Sequence, residues 1–190
     1  ALYFCTGGRG TKGGVYRVFS TSDEAVELPT EESAIAQAIH HPQPTAAWAR
    51  QDIAQLKIKL GDQWGVGIES VVLGKSESVE DRVRAMQLMV FFGPTPSDEM
   101  LTRLSDDENE LIRGQVARLG GLKEGQEIEA VLGKLLADTS PAVRRKAGES
   151  WMRMDALPPL LPVFAMLGSH DRAEALVARR ILERIPAEQW

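Results

Sequence analysis

Four stretches of this chain repeat one pattern at a spacing too long for a single helix or strand. Val72-Leu-Gly-Lys-Ser, Arg103-Leu-Ser-Asp-Asp, Leu135-Leu-Ala-Asp-Thr and Met166-Leu-Gly-Ser-His align on Leu73, Leu104, Leu136 and Leu167, at separations of 31, 32 and 31. Each is preceded by a helical pattern and followed by a short polar turn, after which a second helical pattern begins. That second pattern is marked by Val83-Arg84, Ile112-Arg113 and Val143-Arg144, at separations of 29 and 31. It carries stripes at i, i+4 and i+7 or i+8: Ile112, Val116, Leu119; Val143, Ala147, Trp151, Met154; Val177, Ile181, Ile185. Self-similarity at this period is the signature of a repeat architecture. Each unit is helix A, turn, helix B. One such pair cannot bury its own apolar face, whereas stacked neighbours can. The expected fold is therefore all-α: a solenoid of about four short repeats over 46–190. The segment 46–60, with Trp48, Ile53, Leu56 and Leu60 on one side, is expected to cover the first repeat, and the tryptophans (Trp48, Trp64, Trp151, Trp190) to serve as core or cap residues.

The helix ends are written chemically. Ser140-Pro141 supplies an N-cap followed by proline at the first helical position. Thr95-Pro96-Ser97-Asp98 offers the same device with an acid three residues on. Gly93, Gly121 and Gly168 sit where helices should end. Pro158, Pro159 and Pro162 fit only a helix that starts near 158, with Pro162 either in its first turn or kinking it.

Glycine sets the beginning of the chain apart. Of 17 glycines, five (Gly7, Gly8, Gly10, Gly13, Gly14) fall before Val15. They separate Leu2-Tyr-Phe-Cys-Thr from Val15-Tyr-Arg-Val-Phe19, two aromatic and β-branched runs that suit strands, so a β-hairpin is expected over 1–19. The loop contains G-x-G-x-x-G, but a dinucleotide fingerprint must open a helix, and here a strand follows. Gly8-x-Gly10-x-x-Gly13-x-Val15 also fits the kinase glycine-rich loop, which does lie in a hairpin; the kinase V-A-I-K, H-R-D and D-F-G segments are absent. The loop is read as a turn. Residues 20–45 read as a polar linker with a possible short helix, capped by Thr30, carrying Ile35 and Ile39 at i,i+4 and stopped by Pro42 and Pro44. His40 and His41 are adjacent and cannot share one helical face, so a solvated helix end is expected and not a metal site. Cys5 is expected to be a small buried hydrophobe. A chain that opens in a strand, with no leader-like segment, reads as a piece of a longer one whose localisation signals lie upstream.

Composition narrows the chemistry. No run of 18 apolar residues exists, so no membrane span is expected. One cysteine excludes a disulfide framework and a cysteine-based metal cage. A net charge of −5 argues against a general nucleic-acid binder. None of the three histidines (His40, His41, His170) has a plausible nucleophile beside it. Asp106, Asp107 and Glu108 lie in an inter-helix turn and read as capping groups, not an acid/base pair. No catalytic, metal or cofactor-binding residues are assigned, and no cofactor is expected.

Asp138-Thr-Ser-Pro-Ala-Val-Arg144-Arg-Lys-Ala147 resembles the turn and second helix of HEAT-type repeats. The resemblance implies a ladder between neighbouring repeats, built from an Asp six residues before an Arg. Asp107/Arg113 and Asp138/Arg144 keep that spacing. The first repeat has Ser78 where the Asp is expected before Arg84; the last, from Asp171 to Ala178, lacks the Arg, with Arg179 adjacent. The short period is similar to the compact HEAT-like repeats of phycobilisome lyases, and the likeness covers about residues 65–185. The run Gly7-Gly-Arg-Gly-Thr-Lys-Gly-Gly14 between its two strands, together with Pro42-Gln-Pro-Thr-Ala-Ala-Trp48, resembles the closing propeller strands and linker of large dehydrogenase-like proteins of planctomycete-type bacteria. Their order is β-propeller, HEAT-like repeats, c-type haem domain. No C-x-x-C-H occurs here, so the haem part lies outside this chain. The resemblance implies a periplasmic or extracytoplasmic setting.

Three functions follow as expectations. The first is a non-catalytic scaffold that binds other domains of the same polypeptide or a protein partner. The second is membership of a sugar or alcohol oxidoreductase whose active site and haem lie elsewhere. The third is a nucleic-acid or chromophore clamp, from the basic stripe Arg144, Arg145, Lys146, Arg153, Arg179, Arg180 and Arg184 on the B helices. Within that stripe Arg144 belongs to the ladder, and Arg145, Arg179 and Arg180 are the candidate partner-binding residues.

Overall fold

The computed structural model describes residues 2–7, 10, 12–18 and 33–189. The chain divides into two units, Ala1–Glu32 and Ser33–Trp190. In the first, β1 (Leu2–Thr6) pairs antiparallel with β2 (Gly14–Val18), with Phe4 opposite Tyr16 and Cys5 opposite Val15. The Phe4 and Tyr16 rings stack with centroids 5.2 Å apart. Two strands cannot bury either of their faces, and Tyr3, Phe4, Val15, Tyr16 and Val18 are all exposed. Cys5 is exposed for the same reason, which corrects the expectation of a buried thiol.

The second unit is helical: α1 (Ala34–Ile39), α2 (Ala47–Leu60), α3 (Gln63–Leu73), α4 (Val79–Phe92), α5 (Asp98–Leu104), α6 (Glu110–Gly120), α7 (Gln126–Leu135), α8 (Pro141–Trp151), α9 (Leu160–Leu167) and α10 (Arg172–Leu182). A 3-10 turn, Ala187–Gln189, follows. Helices α3 to α10 form four successive pairs. Their second members stack in order, α4 on α6 on α8 on α10, and α5 touches α7. The stripes read from the sequence face this stack: Ile112, Val116, Leu119, Val143, Ala147 and Ile181 are buried in one continuous apolar core. Gly148 sets the approach of α8 to α10. A Cβ there would lie 2.5 Å from Val177 Cγ1, so only a bare backbone lets the helices come this close.

The repeat is strictest at its second-helix caps. Ser78, Asn109, Ser140 and Asp171 are the N-caps of α4, α6, α8 and α10, at three equal separations along the chain. Gly93, Gly121 and Gly168 stand at helix C-caps, and Pro162 lies in the first turn of α9, whose N-cap is Pro159.

Several boundaries differ from the sequence reading. The cap of α1 is Ser33, whose Oγ accepts from Ala36 N; Thr30 lies outside the described residues. Ala38 and Ile39 are buried in the core, so residues from Ser33 onward, expected as linker, belong to the helical unit. The cap of α5 is Ser97 and not Thr95: its Oγ accepts from Met100 N, while the Pro96 carbonyl accepts from Lys123 Nζ at 2.6 Å and stays outside the helix. On α2 the buried pair is Ala49 and Ile53. Trp48, one position off that stripe, is 50% exposed and packs on the His41 ring at 5.0 Å. Trp64 and Trp151 are buried, and Trp190 lies outside the described residues. The histidines are tied down more than a solvated end would be: His40 Nε2 is 3.0 Å from Asp81, and half-buried His41 is 3.5 Å from Asp52.

Candidate functional site: a ladder between repeats and a basic helix face

The ladder begins four residues into each second helix. Arg82, Arg113 and Arg144 occupy the fourth position after the caps Ser78, Asn109 and Ser140, so each projects from the first turn toward the following repeat. Arg113 Nε and Nη2 donate to Asp138 Oδ2 and Oδ1 at 2.7 and 2.9 Å. Its Nη1 donates to the carbonyls of Asp107 and Glu108 at 2.8 and 3.0 Å. Arg144 repeats the arrangement: Nε and Nη2 grip Glu174 at 2.5 and 3.0 Å, and Nη1 reaches the carbonyls of Asp138 and Thr139. Arg82 donates through Nη2 to Asp107 Oδ2 at 2.6 Å and through Nε to the Val72 carbonyl at 3.0 Å. Each arginine thus binds the backbone of its own repeat and the carboxylate of the next, using the fork geometry that a guanidinium provides.

The carboxylates do a second job. Asp107 Oδ1 accepts from Asn109 N, and Asp138 Oδ1 accepts from Ser140 N, so each also shapes the turn before a helix. Burial alone would push the Asp138 carboxyl up. The hydrogen bonds from Arg113 and Ser140, with the charges of Arg113 and Arg144, outweigh burial and hold it below the usual carboxylate range. The hydrogen bond to Asp138 raises Arg113, and that to Glu174 raises Arg144.

The sequence-predicted residues meet in a different pairing at the ends. Asp107 and Arg113 touch through the Asp107 carbonyl, while the Asp107 carboxylate serves Arg82. The first-repeat arginine is Arg82 and not Arg84: the cap spacing aligns Arg82 with Arg113, and Ser78 is itself a cap. Arg84 instead donates to the Ile39 carbonyl and lies 3.3 Å from Glu80. In the last repeat Ser169 stands one repeat period after Asp138 and accepts from Asp171 N as the ladder aspartates accept from their turns. Its short side chain leaves the carboxylate role to Glu174, which is fully buried and accepts from Ser169 Oγ at 2.6 Å. Asp171 caps α10. The equal spacing of the caps Ser78, Asn109, Ser140 and Asp171 is the sequence signal that points to Arg82.

Around this ladder several other charged side chains have partners. Asp106 pairs with Lys134 at 2.5 Å, and Arg180 with Glu183 at 2.9 Å. Arg153 donates to Ser150 Oγ, and Arg184 to the carbonyl of Met152. A cleft of about 340 Å³ beside Arg82 is lined by Lys75, Arg103, Asp106, Asp107 and Glu108. Arg179 is exposed, and Arg145 is half-buried. Among the described residues no group of three or more His, Cys, Asp or Glu is placed to hold a metal ion, and no helix is long and apolar enough to cross a membrane.

Fold and ladder together define a class: an all-α stack of helical pairs joined by arginine–carboxylate rungs, with a separate two-stranded hairpin. Compared with protein-family models, with curated proteins and with solved structures, the chain matches none.

Proposed function

We propose that this chain is a non-catalytic, HEAT-like repeat scaffold or protein-interaction module. One observation carries the reading: three successive rungs, from Arg82 to Asp107, Arg113 to Asp138 and Arg144 to Glu174, commit the charged groups of the turns to holding repeats in register. Asp107, one of the three acids of its polar turn, is taken up by that role. Stacked repeats of this kind present extended helix faces to partners. The test is turnover: the purified chain is offered sugars and alcohols with a dye electron acceptor. No reduction of the dye is expected, and steady turnover overturns the reading.

A second reading places the module within a larger sugar- or alcohol-oxidising protein with a propeller and a c-type haem domain. It is favoured by the hairpin, whose aromatic residues Tyr3, Phe4 and Tyr16 are exposed in the two-stranded pair and would be covered if the strands belonged to a larger sheet. Mass spectrometry of the native protein from its source tests it: peptides from propeller and haem segments on the same polypeptide are expected, and their absence removes this reading.

A further inference from the structure

Three cations come together on the adjacent helices α6 and α8. Arg118 is on α6; Arg145 and Lys146 are on α8. Lys146 lies across the bare backbone of Gly114, where a Cβ would be 2.9 Å from its Nζ. No described residue gives Lys146 a hydrogen bond or an ion pair within contact distance. Arg145 Nε stands 3.7 Å from Glu149, beyond hydrogen-bond reach, and is buried without a hydrogen-bond partner. Burial, and then the charges of Arg145 and Arg118, hold the Lys146 ammonium below its usual range against the pull of Glu149 and Glu110. The ladder arginines Arg113 and Arg144, by contrast, each hold a carboxylate in the fork. Lys146, half-buried, has no carboxylate within contact distance, and a half-buried cation without one costs the fold stability.

We propose that Arg118, Arg145 and Lys146 form a carboxylate-binding site that receives an acidic segment of a protein partner. The inference rests on the scaffold reading and names the surface that reading leaves open. Protein carboxylates fit better than a nucleic-acid backbone on two grounds. The cluster is short and bordered by Glu110 and Glu149, which a long phosphate run would meet. Exposed Leu111, on the first turn of α6, adds an apolar contact that a peptide side chain uses and a phosphate does not.

The experiment is fluorescence anisotropy with a labelled hexaglutamate peptide at low salt, run beside a short DNA duplex. Lys146→Met and the pair Arg118→Gln with Arg145→Gln should each weaken peptide binding by about tenfold, the loss expected for a charge-assisted hydrogen bond. Lys59→Met, on the exposed side of α2, should leave it unchanged. Lys146→Met should also melt at a higher temperature than the parent chain, because it removes an unpaired cation and keeps the stem over Gly114. Circular dichroism confirms that each variant is folded. Absent peptide binding, an equal loss in Lys59→Met, or tighter binding of the duplex than of the peptide overturns the proposal, the last in favour of nucleic acid. Dye turnover by the chain overturns the scaffold reading while leaving this site standing, so the two failures are distinct.

Discussion

Arg113 shows how one residue can hold two repeats. Its three guanidinium nitrogens reach the Asp138 carboxylate in one repeat and the Asp107 and Glu108 carbonyls in its own. Removing it leaves Asp138, whose side chain is 8% exposed, without its counter-charge. Arg113→Ala should therefore lose about 3–5 kcal/mol in urea unfolding. Arg113→Lys should recover only a minor part, because an ammonium has no fork. The depressed Asp138 carboxyl gives the pH dependence its sign. Stability from the ionised form is complete above the unfolded carboxylate value of about 3.9 and is lost as pH falls through the lower folded value. Melting curves taken from neutral pH downward should show a steeper acid loss in the parent chain than in Asp138→Asn, which starts less stable. At this scale the sequence was partly legible. Asp107, Arg113, Asp138 and Arg144 stand out through the resemblance to HEAT-type repeats, whose spacing of six from Asp to Arg they keep. Arg82 and Glu174 were hidden because the first repeat lacks the aspartate and the last moves the acid from the turn onto the helix.

Helix ends follow from which oxygen wins the orphan N–H groups. The Thr95-Pro96 pair before α5 predicts Thr95 as its cap, yet Ser97 caps the helix, and the Pro96 carbonyl accepts from Lys123 in the loop after α6. Ser97→Ala should cost about 1 kcal/mol, while Thr95→Ala should be near neutral; thermal melts distinguish them. The approach of α8 to α10 is set at Gly148, where any side chain meets Val177. Gly148→Val should destabilise by about 1–3 kcal/mol through overpacking, measured by denaturant unfolding. Apolar periodicity made these helices legible with their buried faces. It did not reveal the close approach, because a small residue on a helix reads the same whether a neighbour or water lies over it.

Across the molecule, the division after Glu32 separates a unit whose described residues form no buried core from one with a continuous core. A chain beginning at Ser33 should unfold in one cooperative transition, measured by circular dichroism, because the apolar core lies within that unit. The two-part nature of the chain was visible in glycine usage, but the place of the junction was not. Residues 34–39 are apolar apart from Gln37, but the polar run before them and Pro42 and Pro44 after them group them with a linker, whereas α1 places Ala38 and Ile39 against the first repeat.

The rungs also run one way. Every ladder arginine reaches forward to the acid of the next repeat, like a plug entering a socket. The units around Asp107–Arg113 and Asp138–Arg144 carry both parts, whereas the last has the socket, Glu174, and Ala175 where the plug would be. An internal unit is thus a self-compatible tile: duplicating the segment from Asp107 through Ala137 adds one socket and one plug in matching order. Duplicating the last unit in the same way would interrupt the chain of rungs, because the first copy has nothing to insert into the second.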